Sequence, residues 1–232
     1  MYLLTETASP FALERWAAFF ANFGQFAKGF FYTLGISIGA LIVALLLGLI
    51  FGAMSSTHNK VLRGISRVYV EIFQNTPLLV QFVVVFYGIS ILTDGHVMIP
   101  ISLTAILCVG VYTGAYISEI IRTGIEAVPK GQTEAALSQG FTYADTMRII
   151  ILPQAVSTIL PPLTNQVVNL IKNTSTVAII SGADIMFTAK AWAYDTTNYV
   201  PAFAGAAFLY FIMCFPLATW ARRKEEENKK AY

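Results

Sequence analysis

The sequence predicts an all-α, polytopic membrane protein with five transmembrane helices, its N-terminus outside and its C-terminus in the cytoplasm. Three observations predict it. First, of 232 residues 56% are hydrophobic and only 12% charged, about half the charged share of an ordinary soluble domain, and the mean hydropathy is +0.64. Second, several stretches without charge reach the roughly 20 residues a helix needs to cross a bilayer core. Third, the basic residues fall unevenly between the loops, the asymmetry that sets membrane orientation. This composition excludes a disordered or collagen-like chain and a nucleic-acid binder working through a dense basic surface. With a net charge of only +2, the placement of charges carries more than their sum.

Residues 1–28 are expected to form an N-terminal interfacial helix, with Ser9 and Pro10 as N-cap and first helical position. Trp16, Phe19, Phe20, Phe23 and Phe26 recur at helical spacing. The stripe fits a helix lying in the outer interface, and it equally fits one packed on the spans. Residues 29–221 then form the transmembrane domain. Gly29 to Thr57 holds no charge and is the first span. The second runs from about Val68 to Leu92 with one acid, Glu71. Ile99 to Ser118, again without charge, is the third. Prolines interrupt Ile149 to Ile171, so the fourth is placed from about Leu160 to Ile180. The fifth, Tyr199 to Ala221, meets Arg222, Arg223 and Lys224 at the start of a charged cytoplasmic tail, residues 222–232. Eleven of the fifteen basic residues then lie on one side, and only Arg15, Lys28, Lys172 and Lys190 on the other. That excess marks the cytoplasm.

Cys108 and Cys214 sit in apolar runs and predict no disulfide framework. His58 and His96 lie in different loops, without a second ligand at metal spacing.

The longest stretch on the inner side, Arg122 to Leu160, is too organised for a linker. Val128-Pro129-Lys130-Gly131-Gln132 is a turn-rich opening. Thr133 can cap a short helix through Gln139, with Glu134 in its first turn complementing the helix dipole. Gly140 suits a left-handed C-cap. Thr142 and Asp145 form a T-x-x-D capping box for a second helix from Tyr143, which Pro153 is expected to interrupt. Capping alone describes a helical hairpin on the membrane surface.

The residues of that hairpin nevertheless resemble a known signature. Glu134-Ala135-Ala136, then Gly140, then Ile150 and Leu152-Pro153, stand at the spacing of the loop found in permease subunits of ATP-binding cassette (ABC) importers. Asn75-Thr76-Pro77-Leu78-Leu79-Val80-Gln81, Val128 to Gln132 and Lys172-Asn173-Thr174-Ser175 are similar to the polar amino-acid uptake branch, the histidine, glutamine and arginine permease type. The likeness runs from about Gly29 to the C-terminus. It departs at Gln74-Asn75, where that branch often has arginine-glycine, a difference that bears on substrate and not on class.

The resemblance implies a subunit of a bacterial inner membrane importer that performs no covalent chemistry. Glu134, Ala135, Ala136 and Gly140 would couple it to an ATPase. Its implied partners are two copies of the ATPase, a second permease copy or a sister permease, an extracytoplasmic amino-acid-binding protein, the amino-acid substrate and membrane lipid, with no nucleic acid. The chain has no G-x-x-x-x-G-K-[ST] phosphate loop, so no cofactor is expected on it, and ATP and Mg would sit on the partner ATPase.

Polar groups inside spans are costly and face a neighbour or a wet cavity. Asn165, Asn169, Lys172, Asn173 and Thr176 share one helical face of the fourth span. Glu71, Gln74, Leu78 and Gln81 share one in the second, where Pro77 kinks the helix and frees carbonyls. A substrate pathway between these faces is one reading; hydrogen bonding that holds a dimer together is the other. Arg67–Glu71 and Glu119–Arg122 stand at helical pairing distances. Lys172 has no acid within four residues, leaving a substrate carboxylate or Glu119 as its counter-charge. With no unpaired acid on the fourth-span stripe, a neutral polar or acidic amino acid is favoured as cargo. An ion-coupled secondary transporter would show repeats and buried ionisable relays, and a non-transporting scaffold would leave the hairpin unexplained.

Overall fold

The computed structural model describes residues 9–230. Nine helices are used below: α1 (Leu13–Ala21), α2 (Phe23–Ser55), α3 (Lys60–Gln74), α4 (Leu78–Leu92), α5 (Ile101–Glu126), α6 (Lys130–Ser138), α7 (Tyr143–Ile180), α8 (Ile185–Thr196) and α9 (Tyr199–Lys230). Four of these, α2, α5, α7 and α9, are long and apolar enough to cross a membrane, and the bent pair α3–α4 makes a fifth crossing if counted as one.

The core is the parallel pair α2–α5, in which Gly39, Gly48 and Gly52 meet Ile106, Ile117 and Ile121 in the same order. Ala40, Ala44, Gly48 and Gly52 recur every four residues on α2, and all are buried. Opposite them, α5 supplies Gly110, Gly114, Ile117 and Ile121. A Cβ on Gly48 would lie 2.4 Å from Ile117 Cγ2, and one on Gly110 would lie 2.7 Å from Val43 Cβ. Small residues at this spacing let two backbones approach closely, which is how helices gain contact energy in lipid, where the hydrophobic effect offers none. Leu78 and Phe82 of α4 and Leu170, Val177 and Ile180 of α7 complete this layer. A second cluster joins Phe19 and Phe26 to Ile171, Trp192 and the Ala202–Ala206–Leu209–Met213 face of α9.

Several expected boundaries are corrected. Helix α1 starts at Leu13 with Ala12 as its N-cap; Ser9 Oγ instead accepts from Phe11 N–H at 3.3 Å. The N-terminal segment is not one helix to residue 28, because the chain breaks at Asn22 and α2 begins at Phe23. Phe19 and Phe26 pack against Trp192, while Phe20 remains exposed, so the stripe packs on the spans along one edge. Residues 1–8 lie outside the described residues.

The second span is not a kinked helix from Val68. Helix α3 starts at Lys60, capped by Asn59 Oδ1, which accepts from Val61 and Leu62 N–H. It stops at Gln74, and α4 resumes after Pro77 at a bend of 97°.

The fourth span does not begin near Leu160 either. Helix α7 runs from Tyr143, and neither Pro153 nor Pro161–Pro162 interrupts it. A wide π-helical stretch at Thr146–Ile151 precedes Pro153 and absorbs the missing donor, as such bulges do. The last part of α7, Thr174–Ile180, tightens to 3-10 geometry. Helix α9 continues past Ala221 through the charged tail to Lys230.

Candidate functional site

The α3–α4 break is a polar feature inside the bundle. Gln74 Nε2 donates to Ala115 C=O at 3.2 Å, which places the end of α3 near the middle of α5. Asn75 Nδ2 donates to Glu71 C=O (2.8 Å) and to Glu71 Oε2 (3.0 Å), and Thr76 Oγ1 donates to Ile72 C=O (2.8 Å). Side chains thus satisfy the last carbonyls of α3, which lose their helical donors at the break. Gln81 crosses the gap. Its Nε2 donates to Phe73 C=O (3.3 Å), Thr76 C=O (3.2 Å) and Thr76 Oγ1 (2.8 Å). Its Oε1 is buried and has no partner among the described residues; the same holds for Ser118 Oγ on the facing helix. Broken backbone at this depth is tolerated only where protein or a wet cavity satisfies it.

A cavity of about 610 Å3 opens beside the break between α2, α3 and α5. Gln74, Glu71 and Glu119 line its deep part, and Ser55, Lys60, Arg63 and Glu126 line the end toward α6. Arg122 is held by Glu119, with Nε to Oε2 at 2.9 Å, and by Glu126 on the next turn. Arg67 and Glu71 approach to 3.8 Å. Both expected pairs are present, and Glu126 is an addition that sequence spacing allowed but did not single out.

The fourth-span stripe stands elsewhere. Asn165, Asn169 and Lys172 are exposed along α7, and Asn173 and Thr176 are half-buried. Lys172 lines a separate groove of about 290 Å3 with Ser175, Met186, Phe203 and Tyr210. Groove and cavity share no lining residue, although the 3-10 end of α7, which carries Thr176, packs on α4 beside the break. Lys172 has no ion pair among the described residues, and Glu119 is occupied by Arg122.

The hairpin lies at the α5 C-terminus. Helix α6 begins at Lys130 with Pro129 as N-cap and no side-chain cap, so Thr133 lies inside the helix rather than capping it. Gly140 has φ +87°, and Phe141 N–H donates to Ala136 C=O at 3.2 Å, the left-handed closure that glycine permits without strain. The capping box is formed: Thr142 Oγ1 accepts from Asp145 N–H (3.2 Å) and donates to Asp145 Oδ2 (2.6 Å). Ala136 turns inward and is buried, whereas Glu134, Ala135 and Gly140 face outward. Gly124 lets Ile159 of α7 reach the end of α5; a Cβ there would lie 2.3 Å from Ile159 Cγ1. His58 meets Tyr143 edge-on at 5.1 Å, tying the α2–α3 turn to the hairpin. Nothing in its sequence position had marked His58.

Residues 44–225 match the sequence profile described as binding-protein-dependent transport system inner membrane component. The chain is 37% identical over 216 residues to the probable glutamine ABC transporter permease protein GlnM of Bacillus subtilis, covering 92% of this chain and 97% of the relative. It is 33% identical over 208 residues to the glutamate/aspartate import permease protein GltJ of Escherichia coli, covering 82% and 85%. A crystal structure of an amino acid ABC transporter with histidines superposes with a TM-score of 0.84 at 31% identity, over 91% of this chain and 97% of that one. An inward-facing structure of the MetNI methionine ABC transporter shares the fold, with a TM-score of 0.69 at 17% identity over 88% and 98%. With four-fifths of its length matched by one profile and near-complete alignment to named permeases, the chain belongs to the family of binding-protein-dependent transport system inner membrane components.

Proposed function

We propose that the chain is the transmembrane subunit of an ATP-driven importer that moves a polar amino acid by alternating access. The observation that carries this is the break between α3 and α4. A span interrupted halfway along α5, beside a polar cavity and with an unsatisfied Gln81 Oε1, is the arrangement that discontinuous helices use to hold a solute at mid-depth. The N-terminus of α4 at Leu78 presents a positive dipole end there, suited to an amino-acid carboxylate. Gln74 and Gln81 lie at this break, and Asn165, Asn169, Lys172, Asn173 and Thr176 would face the pathway from α7. Because Asn165, Asn169 and Lys172 stay exposed on one chain, a second permease copy or sister subunit closes the route.

The hairpin is the coupling element. Glu134, Ala135 and Gly140 dock on one of two ATPase subunits, which bind ATP and Mg, and Ala136 anchors the short helix on α7. Closure of the ATPases moves α6 as a rigid lever against α7, and α7 carries the displacement to the pathway. The excess of basic residues supports a hairpin on the cytoplasmic side and an α8 end outside, where a binding protein would dock; the membrane would be a bacterial inner membrane.

The names of the relatives, for glutamine and for glutamate/aspartate, favour a neutral polar or acidic cargo. The test is ATP hydrolysis by the complex reconstituted with its ATPase and binding protein, across the twenty amino acids. Stimulation by glutamine, glutamate or aspartate is expected; stimulation by lysine and arginine alone would reverse the substrate assignment. Lys172→Met should weaken substrate stimulation while the complex still assembles, and unchanged substrate affinity in that variant would remove Lys172 from the pathway.

A further inference from the structure

At the end of the bundle opposite the hairpin, one acid is wholly enclosed. Asp184 caps α8 and is fully buried. It accepts from Met186 N–H (3.0 Å), Phe187 N–H (3.2 Å) and the Tyr210 hydroxyl of α9 (3.3 Å). Tyr210 also lies near Thr33 on α2 and Thr174 at the start of the 3-10 turn. Thr33 Oγ1 in turn accepts from Ile185 N–H at 3.1 Å. Gly29 brings α2 against the Asp184 carbonyl, where a Cβ would stand 3.3 Å from that oxygen and 2.9 Å from Thr188 Oγ1. Next to it the chain reverses through Ser181 at φ +59°, and Gly182 packs beside Ile101 at the first turn of α5.

Four elements therefore meet around Asp184: α2, α8, α9 and the 3-10 end of α7. That end follows Lys172 and Asn173 directly, carries Thr176, and packs on α4 just after the break. Among the described residues no cation pairs with the carboxyl. Among the described residues, titratable groups reach it only from α2, as Tyr32, and from α9, as Tyr210; α8 and the 3-10 turn contribute amides and hydroxyls. Three donors offset only part of the cost of enclosing a carboxylate.

We infer that Asp184 is a positioning residue for transport, a latch that holds the 3-10 end of α7 against α4 when protonated and releases it when ionised. This rests on the transport role proposed above. Burial pushes the Asp184 carboxyl up to about 6 from its ordinary 3.8, against the pull of its backbone donors and Tyr210. A raised folded-state value means the closed packing favours the proton-bound form. That stabilisation is complete below about pH 4 and is lost as pH rises through about 6. Opening the latch admits water to the carboxylate and removes the penalty, so release becomes easier at neutral pH.

The experiment uses proteoliposomes holding the complex with its ATPase and binding protein. The pH on the hairpin side stays constant while the pH on the α8 side is stepped from 5 to 7.5. Substrate-stimulated hydrolysis by the wild type should rise about three-fold or more across pH 6. Asp184→Asn keeps a capping side chain but cannot ionise, and should give a profile without that limb. Tyr210→Phe removes one donor to the carboxylate and should move the limb to higher pH. Identical limbs in wild type and Asp184→Asn would overturn the latch while leaving the transport role intact. If no amino acid stimulates hydrolysis in any variant, the transport role falls instead. The latch then stands or falls on amide exchange in residues 174–187 of the purified complex. Faster exchange at pH 7 than at pH 5 in the wild type, absent in Asp184→Asn, supports it, and pH-independent protection overturns it.

Discussion

The α3–α4 span and α7 both contain proline, yet only one of them breaks. Pro77 stands alone at a 97° bend. Pro153, Pro161 and Pro162 all lie within a helix that continues from Tyr143 to Ile180. Proline removes one donor and crowds the preceding turn, but the outcome depends on what takes up the freed groups. At Pro77 the chain offers Asn75, Thr76 and Gln81, whose side chains bond the open carbonyls and so stabilise the broken form. In α7 the π-helical turn supplies slack before Pro153, and Gln154 Nε2 bonds Ile150 C=O at 2.8 Å within the helix. What distinguishes the break is Gln81, which reaches across the gap, whereas Gln154 folds back on its own turn within a continuous helix.

The largest expected effect is at the crossing residue. Gln81→Leu leaves Phe73 and Thr76 carbonyls without that donor in a buried setting, at a cost of roughly 2–5 kcal/mol. Thermal unfolding in nanodiscs should fall markedly, and substrate-stimulated hydrolysis should drop at least ten-fold. Retained stability would mean that water serves the carbonyls equally well. Next, Pro77→Ala restores a donor and lets the arms straighten. Spin labels at Val61 and Ile91, in a background without Cys108 and Cys214, should move apart by about 5 Å or more. An unchanged distance would show that Gln81 alone keeps the bend. Gln154→Leu removes a bond within a turn and should cost only about 1 kcal/mol. Smallest of all, Pro161→Ala should leave turnover within about two-fold and raise stability slightly, because the helix already passes through that site.

The same contrast explains what could be read in advance. Charge-free length revealed the first, third and fifth spans, because lipid imposes its rule on every residue in them. The hairpin was equally legible: Gly140 and the Thr142–Asp145 box act within a few residues, so spacing is enough. The start of α7 was not, since a local rule ends a helix at Pro153 and only tertiary packing against α5, through Gly124 and Ile159, carries it on. The 97° bend was hidden for a related reason. Pro77 announced a kink, but its size depends on Gln81 reaching back eight residues to Phe73. Asp184 carried no signal, because a lone acid in a polar loop looks solvated until α2 and α9 close over it. The sequence shows Lys172 without an acid within four residues, but its groove with Tyr210 depends on α9 and is invisible to helix periodicity.

The most direct measurement is uptake of labelled glutamine and glutamate into proteoliposomes containing the complex, its ATPase and its binding protein, comparing Gln81→Leu with Gln154→Leu. Uptake that requires ATP, persists without ion gradients, collapses in Gln81→Leu and survives in Gln154→Leu is the predicted result. Uptake driven by a proton or sodium gradient without ATP, or equal rates in the two variants, would contradict an ATP-coupled pathway centred on the broken span.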